Sequence, residues 1–189
     1  MNKANHRQKV LRLTAAAVVA AAYAALTVAL APISYGALQF RVSEVLCILP
    51  YFMPCTTWGL FAGCILANLL TGNVFDIVFG SLATLGAALC TAALGKRRRT
   101  LLNSALACLM PVVFNAVIVA AVIVTAYEGL KLFEHLDVHL LTAASVGFGE
   151  AVVLYVLGLP LTRALPGRKF FAEFLDKLGY PLDKGQKQD

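Results

Sequence analysis

Long apolar stretches separated by short polar segments dominate the pattern of the chain. A membrane-spanning helix needs about 20 mostly apolar residues, and the pattern predicts six such helices. The predicted spans cover residues 13–31, 41–52, 57–70, 75–94, 101–126 and 140–161. The second and third divide one apolar run at Pro50 and Pro54, because proline breaks helical hydrogen bonding. We therefore predict an all-α integral membrane protein whose bundle of six transmembrane helices occupies residues 1–167, with two short, bent or partly irregular spans.

Composition supports lipid as the solvent of this chain. Hydrophobic residues make up 60% of the sequence and charged residues only 14%, whereas a soluble domain is about 25% charged. The formal net charge is +6, but the basic residues form short clusters beside the apolar runs. This placement is typical of a topology signal rather than a nucleic-acid surface, so we expect the lipid bilayer and no nucleic acid as a partner.

The basic clusters also predict an orientation. With six spans and both termini inside, only two of the 16 Lys and Arg residues, Arg41 and Lys131, lie outside, as the positive-inside rule favours. The first apolar run resembles a signal peptide, but its length and Pro32 favour a retained span. We expect a multi-pass protein of a bacterial plasma membrane with both termini cytoplasmic. Its tail, residues 168–189, should hold a short amphipathic helix on the membrane surface.

Five polar residues fall inside the predicted spans. A charge at the bilayer centre costs about 2.5–3.5 kcal/mol, so such residues should face the bundle interior or a watery cavity. Arg41 lies three residues before the first of them and shares its helix face. The depths of the five predict one small-molecule site open to the outside, although a purely structural network, in which Arg41 neutralises one carboxylate, is the alternative. The five are Glu44, Asp76, Glu150, Asn68 and Asn115.

The first outer loop adds aromatic candidates to this site. It contains Tyr35, Gln39 and Phe40 around a glycine. Such a loop could close over a flat ligand, as lids do in enzymes. The alternative interpretation is an interfacial aromatic belt.

Catalytic and metal motifs are missing from the sequence. His135 and His139 with Asp137 have helical spacing, but three ligands on one turn do not converge easily on a metal, and we predict no metal site. The five cysteines are dispersed and form no CxxC, so we interpret them as small packing residues.

The sequence contains no P-loop, so an ATP-driven transporter would need ATPases on other chains, and we predict no cofactor and no enzymatic activity.

Small residues recur every four positions in three of the spans, which lets helix backbones approach closely. Packing within the bundle is one interpretation of these ladders. Span one carries three overlapping alanine ladders, however, and could offer a face to another subunit. The candidate docking residues are Ala17, Ala21 and Ala25.

Four segments resemble a known family. They are YAALT from Tyr23, APISYG from Ala31, QFRVSE from Gln39 and DIVFGSLAT from Asp76. They are similar to the QueT family, the substrate-binding S components of energy-coupling-factor (ECF) transporters. The resemblance extends over about residues 13–161. It implies a six-helix S-component fold, uptake of queuosine precursors, and an energising module of one T component and two ATPases. It also implies docking through the small residues of helix one.

The residues are compatible with that substrate class. Queuosine precursors are 7-deazaguanines, and some carry a cationic aminomethyl group. One carboxylate could accept the paired ring N–H donors and a second could neutralise the cation, while Asn68 or Asn115 donates to the carbonyl and Tyr35 or Phe40 stacks on the ring. An S component for another vitamin such as thiamine, or a stand-alone proton- or cation-coupled carrier, remains the alternative, and the preferred precursor is left open.

Overall fold

The computed structural model describes residues 3–34, 40–72, 74–129, 131 and 134–182. The helices follow one another in the order α1 (Lys3–Ala29), α2 (Val42–Tyr51), α3 (Thr56–Asn68), α4 (Asp76–Leu94), α5 (Leu101–Ala126), α6 (Leu136–Gly167) and α7 (Lys169–Lys177). Short helical turns, Ala31–Ser34 and Leu69–Thr71, extend α1 and α3. Within these described ranges the chain forms no β-strand.

Four of these helices, α1, α4, α5 and α6, are long and apolar enough to cross a membrane. The predicted all-α membrane architecture is therefore confirmed, whereas the count of six spans remains a prediction. The two shorter helices, α2 and α3, have 10 and 13 residues. Because α2 is a 3₁₀ helix and rises about 2.0 Å per residue, its ten residues extend about 20 Å.

One end of the bundle gathers several basic segments. The Arg12 side chain donates to the carbonyl of Leu178 at 2.8 Å and lies 4.6 Å above the Tyr180 ring. Arg99, from the loop between α4 and α5, lies 5.2 Å from the Phe52 ring. The start of α1, the α2–α3 turn, the α4–α5 loop and the tail thus meet at what we call the basic end. These are segments that the charge pattern predicts to lie on one side of a membrane.

The predicted amphipathic tail helix is present as α7, but most of its apolar face contacts protein. The Phe171 and Phe52 rings meet edge to face, with their centroids 5.4 Å apart. Leu175 and Leu178 are fully buried in the same cluster, and Phe170 is 81% exposed. The spacing of apolar residues predicts that a helix has an apolar face, but it does not predict whether lipid or protein covers that face.

The small-residue ladder of α3 allows close packing against α1. A Cβ atom on Gly63 would lie 2.6 Å from the Ala20 carbonyl oxygen and 3.0 Å from Cβ of Tyr23, and a Cβ on Gly59 would overlap the carbonyl oxygen of Ala16. Neither position has room for a side chain. This close contact between α1 and α3 places the Tyr23 side chain in the bundle interior.

The alanine ladder of α1 has a different role. Ala17, Ala21 and Ala25 are exposed, on the side of the helix away from its buried residues Val19 and Tyr23. The helix therefore has one face packed on α3 and an opposite face, exposed within the described part of the chain, on which the three alanines lie beside Val18 and Val28.

Candidate functional site

Glu44 lies one turn into α2 and is fully buried. The Tyr23 hydroxyl of α1 donates to its Oε1, and the Cys47 thiol donates to its Oε2 at 2.9 Å. Arg41 is only 2% exposed and lies three residues before Glu44 in the chain. Both carboxylate oxygens of Glu44 are therefore engaged, and the pairing of Glu44 with Arg41 stays a prediction.

Cys64 links this carboxylate to the next two helices. Its sulfur accepts from Asn68 Nδ2 at 3.4 Å and from the Thr84 hydroxyl at 3.3 Å, and it lies 3.7 Å from the oxygen of the Tyr23 hydroxyl, whose proton is donated to Glu44. Asn68 Nδ2 also lies 3.1 Å from the main-chain carbonyl of Asp76. Polar side chains of α1, α3 and α4 thus form one connected network in the interior.

Asp76 enters the interior at the beginning of α4 and is 4% exposed. The helix opens with a π-helical segment, Asp76–Gly80, a geometry found frequently at functional sites. A Cβ on Gly80 would lie 2.9 Å from Asn68 Nδ2 and 3.1 Å from Asp76 Oδ1. The absence of a side chain at Gly80 therefore makes room for both polar groups.

Asn115 and Glu150 form the third part of the site. Asn115 begins another π-helical segment, Asn115–Val119, which packs against Asp76–Gly80. Its Nδ2 donates to Glu150 Oε1 at 2.9 Å, and the two residues are 1% and 2% exposed.

Two acceptor atoms of this pair are left over. Glu150 Oε2 and Asn115 Oδ1 are buried and accept no hydrogen bond from any residue in the described part of the chain. Leaving a buried acceptor unsatisfied costs about 1–3 kcal/mol. In a native structure such atoms need a partner from outside the chain, such as a ligand, a water molecule or an ion.

The structure thus brings the polar residues found in the sequence to one buried region, while two of the three loop candidates, Tyr35 and Gln39, fall outside the described residues. Phe40 is half-buried and directly precedes Arg41. The polar residues in this region are Arg41, Glu44, Asn68, Asp76, Asn115 and Glu150.

Sequence reasoning missed three members of the network. Tyr23 carries a hydroxyl inside an apolar helix, a weak signal because its ring also suits such a helix. Cys47 and Cys64, interpreted as packing residues, hydrogen bond within the site. The spacing of Cys47, three residues after Glu44 on the same helix face, is the signal that could have found it.

Acidic groups dominate the chemistry of the site. Its three carboxylates face one guanidinium, Arg41. Among the described residues, no group of three or more His, Cys, Asp or Glu is placed to hold a metal ion. The site is suited to a ligand that offers N–H donors or positive charge.

Fold and site together define an all-helical membrane protein with a buried polar site suited to a small solute. The chain belongs to the QueT transporter family, whose family model matches residues 13–166. A stretch of 81 residues is 37% identical to the queuosine precursor transporter QueT of Lactococcus lactis subsp. cremoris (strain MG1363). The aligned stretch covers 42% of this chain and 48% of that relative, about half of its length. No solved structure matches the chain.

Proposed function

We propose that this chain is the substrate-binding S component of an ECF-type importer. It captures a queuosine precursor of the 7-deazaguanine class from outside the cell and delivers it inward with a T component and two ATPase subunits, which use the ATP. Membership of the QueT transporter family supports the transport role. The observation that carries the ligand assignment is the buried, acceptor-rich site, with Glu150 Oε2 and Asn115 Oδ1 left over.

The chemistry of a 7-deazaguanine complements such a site. Its guanine-type edge offers paired N–H donors, and carboxylates accept paired donors with charge-assisted strength. The aminomethyl forms add a cation that an acidic site can neutralise. The buried acids Asp76 and Glu150, on α4 and α6, supply separate carboxylates for these two demands.

Mass spectrometry of the purified protein tests the substrate class. We expect a 7-deazaguanine to co-purify, and calorimetry with added precursor to show saturable binding. Thiamine is the control ligand, because it is also flat and cationic but lacks the guanine-type edge. Binding of thiamine in place of any 7-deazaguanine would contradict the proposal.

We further propose six spans with both termini cytoplasmic, which the convergence of Arg12, Arg99 and the tail at the basic end supports. A cysteine placed at Glu134 should then react with an impermeant maleimide on intact cells, and one at Arg98 only after permeabilisation. The parent chain supplies the background, since its five cysteines are buried or half-buried. Labelling at Arg98 on intact cells would overturn this topology.

The exposed ladder Ala17, Ala21 and Ala25 is the proposed contact with the T component. Its small side chains allow close approach of another helix, and the buried face of α1 is already used by α3.

Replacing Ala21 with leucine should therefore abolish most uptake and leave binding by the isolated protein within about twofold. Overpacking an interface costs about 1–3 kcal/mol, or roughly 5- to 150-fold in association with the partner. Radiolabelled precursor uptake, and calorimetry on the purified chain, measure the two effects. Ala144→Leu is the matched control, because Ala144 is also exposed but lies on α6. Equal losses of uptake in both variants would argue against a docking surface on α1.

A further inference from the structure

The three buried acids differ in how far the protein itself satisfies them. Glu44 accepts from Tyr23 and Cys47 with its two oxygens. Glu150 accepts from Asn115 with Oε1 alone, and its Oε2 has no donor within the described residues. The amide oxygen of Asn115 likewise accepts no hydrogen bond from the described residues. The two acceptors left over at the Asn115–Glu150 pair therefore call for donors.

We propose that the Asn115–Glu150 pair is the subsite for a primary ammonium group of the ligand, and that Arg41, Glu44 and Tyr23 act as a positioning network beside it. This inference rests on the proposed function and extends it, since it selects the cationic aminomethyl precursors over uncharged ones.

The kinds of hydrogen-bonding atoms left over at the pair favour an ammonium group at this position. An ammonium has three donors and no acceptor, and the two atoms left over at the pair, Glu150 Oε2 and Asn115 Oδ1, are both acceptors. A neutral ring edge that presents a carbonyl beside its N–H groups would also need a donor there. The Asn115 amide nitrogen uses one of its two hydrogens on Glu150, so the pair keeps two acceptors against one donor and favours a group that mainly donates.

The charges of the site residues also favour an ammonium group at this position. Glu44 and Glu150 are both buried in this region, where like charges repel, and Arg41 is the one basic side chain among the site residues. A buried charge is tolerated when it is paired and hydrogen-bonded. A ligand cation at Glu150 supplies both conditions, and it offsets the repulsion by Glu44 as well.

Two ligands that differ only in this group test the inference on the detergent-purified full chain. The probes are 7-aminomethyl-7-deazaguanine and 7-methyl-7-deazaguanine, which keeps the ring and lacks the ammonium. We expect the wild-type protein to bind the aminomethyl compound at least about 30-fold more tightly, as is typical when one partner of a buried charged hydrogen bond is removed. Glu150→Gln should lower this preference to within about threefold, because glutamine keeps the size and loses the charge.

Two further variants separate the subsite from its surroundings. Asn115→Leu removes the second acceptor together with the amide that donates to Glu150, and it should lower the preference by about tenfold. Glu44→Gln disturbs the positioning network, and we expect it to weaken both compounds by the same factor. Binding of the methyl compound by each variant shows that its ring site is still folded.

The outcomes are distinct. A wild-type protein that binds both compounds equally, or a Glu150→Gln variant that keeps the full preference, overturns the ammonium subsite and leaves the proposed function intact. If Glu44→Gln rather than Glu150→Gln removed the preference, the assignment of the two acids would be reversed. Failure of the wild-type protein to bind either compound would contradict the proposed function, and this inference with it.

Discussion

Replacing Gly59 with leucine is expected to prevent assembly of the bundle. A Cβ at this position would overlap the Ala16 carbonyl oxygen and lie 2.9 Å from its carbonyl carbon. Overpacking a core costs about 1–3 kcal/mol and sometimes more, and here the obstacle is backbone, which cannot rotate away as a side chain can. Size-exclusion chromatography of the detergent extract should show aggregate in place of a monodisperse peak.

Gly167→Leu is the control for this experiment. A Cβ on Gly167 meets no atom within 4 Å, so the same change in size should leave the elution profile as in the parent. A monodisperse Gly59→Leu protein that still binds precursor would show that α1 and α3 are not held at the observed distance.

Replacing Glu44 with glutamine is expected to lower the thermal stability of the ligand-free protein. Glutamine would place its NH2 group against one of the two donors on this carboxylate, Tyr23 or Cys47, and leaving a buried partner of a charged hydrogen bond unsatisfied costs about 3 kcal/mol. For a chain of this length, that corresponds to a fall in apparent Tm of roughly 10 °C. Thermal unfolding in detergent, followed by tryptophan fluorescence or by aggregation, measures the change.

Glu150→Gln provides the matched comparison, since it makes the same chemical change at the other end of the network. Its Oε2 has no donor among the described residues, so loss of the charge removes an uncompensated acceptor. We expect its apparent Tm to stay within a few degrees of the parent, because ligand-binding positions contribute to function at the expense of stability. Equal falls for the two variants would indicate that the acids share one structural role.

Much of the helical framework is evident from the apolar pattern. The run predicted for residues 101–126 coincides with α5, and that for 75–94 nearly coincides with α4. Of the two prolines predicted to divide the apolar run of the second and third spans, Pro54 lies between α2 and α3, whereas Pro50 lies inside α2, so the prediction of a break at Pro50 is wrong. Helix α1 begins at Lys3, ten residues before its apolar run, because a helix that leaves the hydrocarbon does not need to end there.

The polar site could be identified from the sequence because lipid, rather than water, surrounds the spans. In lipid, a charged or amide side chain is costly unless it faces the interior, so Glu44, Asp76 and Glu150 could be assigned to the interior without coordinates. Tyr23 and Cys64 could not, because hydroxyl and thiol groups are inexpensive in an apolar helix and carry no such signal.

The sequence by itself thus determined the membrane class, the positions of most helices and the burial of the acids, since each depends on the local composition of one segment and on lipid as solvent. Only the tertiary structure decided which acid is satisfied, which face of α1 is covered and where the tail packs. These depend on contacts between distant segments: Tyr23 with Glu44, Asn115 with Glu150, and Arg12 with Leu178. No helix contains both partners of any of these contacts, so periodicity within a helix cannot report them.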